Sequence, residues 1–223
     1  MSIASRLSEL RNELPEGVRL VAVSKFHDVS VIREAYDAGQ RLFGESRVQE
    51  LLPKQKNLPK DIEWHFIGHL QVNKVKSIAP FVAMVQSVDS LKLLEELNRQ
   101  AGKYHRRIRV LLQIHIAREE HKFGFSFDEA EELAGSDFQA LFPHLILSGL
   151  MGMATFTDDS DEIRREFASL SSFFKKLKTG YFAGNDDFKE LSMGMSDDYP
   201  LAIEEGSTTI RVGTRLFGAR GMV

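Results

Sequence analysis

Short apolar segments recur along the chain, and longer segments with apolar residues three and four positions apart lie between them. The short segments have the length and composition of buried β-strands. They occupy residues 20–23, 41–43, 64–67, 84–85, 108–114, 145–148, 189–192 and 209–212. About eight strands of this kind are found in a (β/α)8 barrel, so the pattern favours that fold.

The intervening segments have the periodicity of amphipathic helices, in which one face is apolar. One stripe contains Leu91, Leu94 and Leu97, and another contains Ile163, Phe167, Leu170, Phe174 and Leu177. Alternating strands and helices predict a parallel sheet. The alternative is an open doubly wound sheet, but its Gly-x-Gly-x-x-Gly turn is missing after the first strand. We therefore predict one α/β domain, a single (β/α)8 TIM-type barrel over residues 1–223.

The composition limits the kinds of site that the chain can carry. Its 223 residues are 43% hydrophobic and include no cysteine, which excludes disulfides, thiolate metal ligands and a cysteine nucleophile. A formal net charge of −3 gives no overall attraction to nucleic acid. The first residues resemble neither a signal peptide nor a membrane span. We expect a cytoplasmic protein that binds neither nucleic acid nor membrane.

Lys25 is the first candidate for chemistry, because it follows directly after the apolar segment 20–23 and Ser24. A free lysine has a pKa of about 10.4, so an amine that traps an aldehyde must be desolvated or lie near other cations. A lysine at the end of a buried strand can meet that condition. The alternative interpretation is an ordinary surface lysine at a strand end.

Two turns near the C-terminus are candidates for binding phosphate. Barrel enzymes often hold phosphate in the loops after the seventh and eighth strands, which are here the segment 192–196 and the pair Gly213 and Thr214. Ser192, Ser196 and Thr214 offer hydroxyl donors, and glycine lets the backbone approach a ligand closely. Small residues also favour ordinary tight turns. An amine at one end of the chain and two phosphate turns at the other suggest pyridoxal 5′-phosphate.

Arg211, in the eighth strand, adds an inference about the pyridine ring of such a cofactor. A guanidinium can donate a hydrogen bond to the ring nitrogen but cannot accept its proton. The ring would stay unprotonated and would be a poorer electron sink than one paired with a carboxylate. Taken alone, Arg211 could equally form an ion pair at the rim of the barrel.

Six ordered segments resemble the pyridoxal phosphate homeostasis protein family over nearly the whole chain. They are residues 22–25, 43–50, 64–74, 121–125, 191–198 and 210–218. The resemblance implies a barrel similar to the N-terminal domain of alanine racemase, the fold-type III group, with Lys25 joined to pyridoxal phosphate as an internal aldimine. It also implies phosphate contacts from Ser196, Gly213 and Thr214, with Arg211 at the pyridine nitrogen.

Four further positions are secondary candidates. Ser46 stands where many relatives carry Asn, which puts a side-chain amide contact in doubt, although Ser46 could cap the following helix. Asn73 and Lys74 would lie at the barrel mouth, or serve only as a helix cap and a solvated charge. Lys122 has a counterpart in the family suspected of handling a second cofactor molecule, while a charged, solvated loop is the simpler interpretation.

His65 and His69 have the spacing of some metal ligands but lie on either side of a strand end, so we expect no metal. The resemblance implies a protein without catalytic turnover that holds pyridoxal phosphate and delivers it to apo-enzymes in transient contacts. The alternative is an amino-acid racemase, but such enzymes add a β-domain and a tyrosine base. Only Tyr199, among the four tyrosines, is expected near the cofactor. A structural or interaction module would leave Lys25 and Arg211 unexplained.

Overall fold

The computed structural model describes residues 1–118 and 123–218. Eight parallel strands form a closed barrel in the order of the chain. They are β1 Arg19–Val23, β2 Leu42–Glu45, β3 Glu63–Phe66, β4 Met84–Val88, β5 Ile108–Gln113, β6 Leu145–Met151, β7 Glu190–Ser192 and β8 Thr209–Val212. Strand β1 pairs with β2 and with β8, so the first and last strands are neighbours. The predicted barrel is confirmed, and each predicted strand overlaps an observed one.

Helices surround the barrel and also link the two ends of the chain. In the described residues they are α1 Ile3–Glu13, α2 Val29–Asp37, α3 Val48–Asn57, α4 Val75–Ile78, α5 Leu91–Lys103, α6 Phe127–Gly135, α7 Phe138–Leu141, α8 Ser160–Gly180, α9 Tyr199–Glu204 and α10 Thr214–Phe217. Arg6 of α1 donates to the carbonyl of Phe217 at 3.3 Å. No helix in the described ranges has the length and apolar character needed to cross a membrane.

The apolar stripes of the sequence are the inner faces of these helices. All five apolar residues of the α8 stripe are buried, and so are Leu94 and Leu97 of α5, whereas Leu91 is exposed at the first turn of α5. Local capping also fixes helix ends: Ser126 and Glu129 form a reciprocal capping box at α6. Packing of the stripes against the outer faces of the strands therefore builds the main core.

The interior of the barrel is polar on one side. Side chains alternate along a strand, and in β8 Ile210 and Val212 belong to the main apolar core while Thr209 and Arg211 do not. A small separate apolar cluster forms from Met84, Leu111 and Met151. In β1, β3, β7 and β8, the residues that alternate with the core residues instead bring charged and hydroxyl groups together inside the barrel. These polar groups lie behind the candidate site.

Candidate functional site

A cavity of about 210 Å³ lies at the carboxyl end of the barrel, where strands β1 and β8 end. Six of the residues selected from the sequence line it: Lys25, Ser46, Ser196, Arg211, Gly213 and Thr214. Val23, Ile67 and Met153 supply apolar walls. A larger concavity of about 490 Å³ lies beside Arg11 and Gly17, at the opposite end of β1, but it contains no lysine. Chemically reactive groups therefore converge on the smaller cavity.

The loop that carries Lys25 is fixed from both sides by α3. The residue after Lys25, Phe26, has a left-handed backbone with φ of +68°, which is uncommon for a side chain of this size. Its N–H donates to Glu50 Oε2 at 2.8 Å. The residue before Lys25, Ser24, accepts a hydrogen bond from Lys54 Nζ at its carbonyl at 2.9 Å. These contacts hold the backbone of Lys25 in one position at the cavity wall.

Lys54 also forms a buried ion pair directly behind the loop. Its Nζ lies 2.7 Å from Glu45 Oε1, and the two side chains are 8% and 0% exposed. Ser24 Oγ donates to the same carboxylate at 2.6 Å. Burial raises the pKa of Glu45, and the charge of Lys54 opposes that rise. This pair was not predicted from the sequence, although Glu45 lies in the segment 43–50 that resembles the family.

The two predicted phosphate turns meet at the cavity. Gly213 N–H donates to Ser196 Oγ at 3.3 Å, which leaves the Ser196 hydroxyl hydrogen available to a ligand. A Cβ on Gly213 would lie 3.2 Å from the carbonyl oxygen of Val23. Gly194 has φ of +94°, and a Cβ there would lie 2.6 Å from Cβ of Ala202. Gly194 is therefore required by its positive φ and by close packing, whereas a side chain at Gly213 would need its neighbours to shift by a few tenths of an ångström.

Arg211 reaches the cavity from inside the barrel. Its guanidinium donates from Nη1 to Ser192 Oγ at 2.6 Å and from Nη2 to the carbonyl of Gly152 at 3.0 Å. Burial lowers the pKa of Arg211 to about 10, and the charge of Asp198 opposes this effect. The group still carries its charge at neutral pH, and further N–H groups remain beyond the two that are bonded.

Two predicted site residues, Ser192 and Asn73, are not among the described residues that line the cavity. Ser192 is buried beneath Arg211, and its hydroxyl donates to Gln86 Oε1 at 2.7 Å. Asn73 is exposed in a 3-10 turn, Val72–Lys74, that follows β3. Lys122 lies outside the described residues. Ser46 lines the cavity but does not cap α3, because the N-cap position is Arg47.

Tyr199 does not face the cavity, contrary to the sequence-based expectation. Its hydroxyl donates to Glu13 Oε2 at 2.7 Å and accepts from Arg215. Glu13 ends α1, on the outside of the barrel. None of the other three tyrosines lines the cavity either. The part of the chain that the structure describes therefore places no phenol at this site.

The two histidines with metal-like spacing are separated by their surroundings. His65 is buried inside the barrel, where Nε2 lies 3.1 Å from Glu63 Oε1. His69 is exposed, and its Nδ1 lies 2.7 Å from Asp89 Oδ2, with its ring stacked on Phe123. Over residues 1–118 and 123–218, no group of three or more His, Asp or Glu side chains is placed to hold a metal ion.

The barrel and its cavity belong to a known class of domain. The family model described as "Alanine racemase, N-terminal domain" matches residues 1–221. Alanine racemase from Streptomyces coelicolor A3(2) has the same fold, with a TM-score of 0.76 at 19% identity. The match covers 97% of this chain and 58% of that one. At this identity, the likeness concerns the fold alone.

More similar proteins define the family more narrowly. The pyridoxal phosphate homeostasis protein of Pasteurella multocida (strain Pm70) is 41% identical, and the match covers 99% of this chain and 98% of that protein. PipY of Synechococcus elongatus PCC7942 is similar in structures without pyridoxal phosphate (TM-score 0.89, 41% identity) and with it bound (0.85, 40%). Both matches cover 97% of this chain and 100% of PipY. The chain therefore belongs to the pyridoxal phosphate homeostasis protein family.

Proposed function

We propose that this protein binds pyridoxal 5′-phosphate as an aldimine with Lys25, maintains a bound pool of it, and delivers it to apo-enzymes without catalytic turnover. The observation that carries the proposal is the convergence of Lys25, Arg211 and the two small-residue turns on one cavity. The amine of Lys25 would condense with the cofactor aldehyde, and one molecule of water would leave. The bond is reversible, so the aldehyde is stored rather than consumed.

The residues present fit this cofactor. Lys25 supplies the amine, and hydroxyls of Ser196 and Thr214 with the backbone of Gly213 suit a phosphate. The glycine matters because a Cβ there would crowd the carbonyl of Val23. Apolar side chains of the cavity wall offer a surface for the pyridine ring. The donor set thus matches an aldehyde, a phosphate and an aromatic ring at once.

Arg211 supports binding without strong activation of the ring. Its two identified hydrogen bonds go to a hydroxyl and a carbonyl, neither of which neutralises its charge. A guanidinium at the ring nitrogen donates a hydrogen bond and leaves that nitrogen unprotonated. The electron-withdrawing power of the bound ring is then limited, which suits a carrier better than an enzyme that stabilises carbanions.

The racemase alternative requires an acid or base on each face of the substrate. Lys25 can serve one face, but the hydroxyl of Tyr199 is bonded to Glu13 outside the barrel. Within the described residues, the cavity lining contains no tyrosine or histidine to serve the other face, so a racemase would have to rely on the carboxylate of Asp197. This arrangement supports binding without turnover.

The proposal is tested with purified protein, added pyridoxal phosphate and borohydride reduction followed by peptide mapping. We expect a visible imine band and a label on the Lys25 peptide. In Lys25→Ala the band and the label should be lost, whereas Lys176→Ala, a surface change, should retain both. No band in the wild type, or a label spread over many lysines, would refute the assignment. Measurable amino-acid racemisation by the loaded protein would contradict the absence of turnover.

Delivery is tested separately, by following transfer of the bound cofactor to an apo-enzyme. Release by transimination needs a second amine, and Lys122 is the residue proposed for it. We expect Lys122→Ala to load normally but to transfer more slowly than Lys176→Ala. Equal transfer rates would remove Lys122 from the proposal.

A further inference from the structure

A continuous chain of hydrogen bonds leads from Arg211 into the interior of the barrel. Arg211 Nη1 donates to Ser192 Oγ at 2.6 Å, and Ser192 Oγ donates to Gln86 Oε1 at 2.7 Å. Gln86 Nε2 lies 2.7 Å from His65 Nδ1, and His65 Nε2 lies 3.1 Å from Glu63 Oε1. The four side chains beyond Arg211 come from strands β7, β4 and β3. They connect the cavity with the opposite half of the barrel.

The carboxylate at the far end sets the direction of every bond in this chain. Ionised Glu63 can only accept, so His65 must carry its proton on Nε2 and accept at Nδ1. Gln86 then directs its NH₂ group at His65 and its oxygen at Ser192. The hydroxyl hydrogen of Ser192 points to Gln86, which leaves an oxygen lone pair for Arg211.

This chain of hydrogen bonds is also electrically neutral where it meets the guanidinium of Arg211. Ser192 and Gln86 have no charge, and burial lowers the pKa of His65, which keeps its ring neutral. The carboxylate of Glu63 is four hydrogen bonds from Arg211 and is paired with Arg19 at 3.0 Å. Arg211 is thus held by neutral acceptors, and the carboxylate of Asp198 acts on its charge without forming one of the described ion pairs.

We propose that Gln86 and His65 are positioning residues that act through Ser192 to fix Arg211 and direct its charge at the pyridine nitrogen. This inference rests on the proposed function. Barrel interiors are commonly filled with branched apolar residues, and a buried polar chain is favourable only when every member is satisfied. Here each member is satisfied only in the one arrangement that presents a lone pair to Arg211.

The decisive variant is Gln86→Met, which keeps the length of the side chain and breaks the chain of hydrogen bonds. Gln40→Met is the matched control, because Gln40 is also buried and donates to the carbonyls of Leu20 and Leu42 at 2.9 and 2.7 Å, outside the chain. For the cofactor-loaded protein, the dissociation constant of pyridoxal phosphate and the pKa of the imine band are measured. We expect Gln86→Met to bind about tenfold more weakly and to shift the imine pKa, with Gln40→Met unchanged in both.

If Gln86→Met does not fold, Ser192→Ala interrupts the same chain of hydrogen bonds at another point. The double variant should bind pyridoxal phosphate no more weakly than the weaker-binding single variant. Identical behaviour of Gln86→Met and Gln40→Met would overturn the proposal. Nitrogen-15 NMR of histidine in the cofactor-free protein tests the chain independently, because neutral His65 protonated on Nε2 is required. A proton on Nδ1 at neutral pH would overturn it. If the wild type forms no imine band at all, the proposed function fails, whatever the tautomer of His65.

Discussion

Arg19 and Arg211 are both arginines of the barrel interior, and their surroundings are opposite. Arg19 of β1 lies between Glu63 and Glu190, each at 3.0 Å. Burial disfavours its charge, but the two carboxylates outweigh burial and raise its pKa. Arg211 contacts a hydroxyl and a carbonyl, and burial lowers its pKa to about 10. Arg19 is therefore stabilised by the protein itself, whereas Arg211 retains a charge suited to a ligand.

The difference suggests a rule for these two arginines. The charge of Arg19, which serves the fold, has counter-charges in contact, whereas the charge of Arg211, which reaches the cavity, has none in contact in the described structure. A buried charge without a counter-charge in contact is unfavourable for folding, and this cost is an argument for the ligand-binding role proposed for Arg211. Variants that remove charges of each kind can test this rule.

The largest effect is expected for Lys54, the most completely buried of the paired cations. Lys54→Met leaves Glu45 buried without its counter-charge, and Glu45 Oε2 already lacks a hydrogen-bond partner in the described structure. The free energy of unfolding, measured in urea, should fall by about 3–5 kcal/mol. Lys176→Met is the control, because its pair with Glu131 at 2.6 Å is largely exposed and screened by solvent, so its loss should leave the free energy of unfolding nearly unchanged. Similar losses in both variants would contradict the argument.

The two arginines themselves provide the next test. Arg19→Met should lower the free energy of unfolding by about 2 kcal/mol, less than for a fully buried pair because Arg19 is 37% exposed. Arg211→Met removes an unpaired charge but also two hydrogen bonds, so we expect a change within about 1 kcal/mol in either direction. Binding of pyridoxal phosphate should show the reverse order, with the greater loss in Arg211→Met. If the same variant showed the greater loss in both measurements, the contrast between the two arginines would be refuted.

Much of this arrangement could be predicted from the sequence. The barrel follows from eight apolar segments alternating with amphipathic helices, and strands that close in order bring Lys25 near Gly213 and Thr214. The glycines and hydroxyls of the turns were visible because turn chemistry is local. These features depend on residues close in sequence or on the general geometry of a closed barrel.

The chain of hydrogen bonds inside the barrel could not be predicted in the same way. In β3, Glu63 and His65 alternate with Trp64 and Phe66, a pattern that indicates two faces but not which face meets water. Only closure of the barrel shows that the polar residues lie inside. Tyr199 illustrates the related limit, since its position near a phosphate turn did not reveal that its hydroxyl reaches Glu13 on the outside.

The smallest predicted effect is the pH dependence of the free energy of unfolding that arises from Glu63 and His65. The hydrogen bond from His65 and the charge of Arg19 lower the pKa of Glu63 from 4.5 to about 2, with burial opposing them. Burial lowers the pKa of His65 below 6.5, so its ring is neutral at pH 7, where the Glu63 carboxylate accepts its hydrogen bond. A carboxyl with a lowered pKa stabilises the fold above pH 4.5 and loses that contribution as pH falls toward 2.

His65 also makes the fold less stable as the pH falls, but over a higher pH range than Glu63. Its pKa is lowered in the folded protein, so below pH 6.5 the unfolded chain takes up a proton that the folded protein does not, and stability falls. Unfolding free energies measured from pH 8 to 2 should therefore decline in two stages. Glu63→Gln should reduce the decline below pH 4.5 by on the order of 1 kcal/mol, after solvent screening of a side chain that is 41% exposed. His65→Gln should reduce the decline that begins near pH 6.5, and an unchanged profile in either variant would show that the contact is not formed as described.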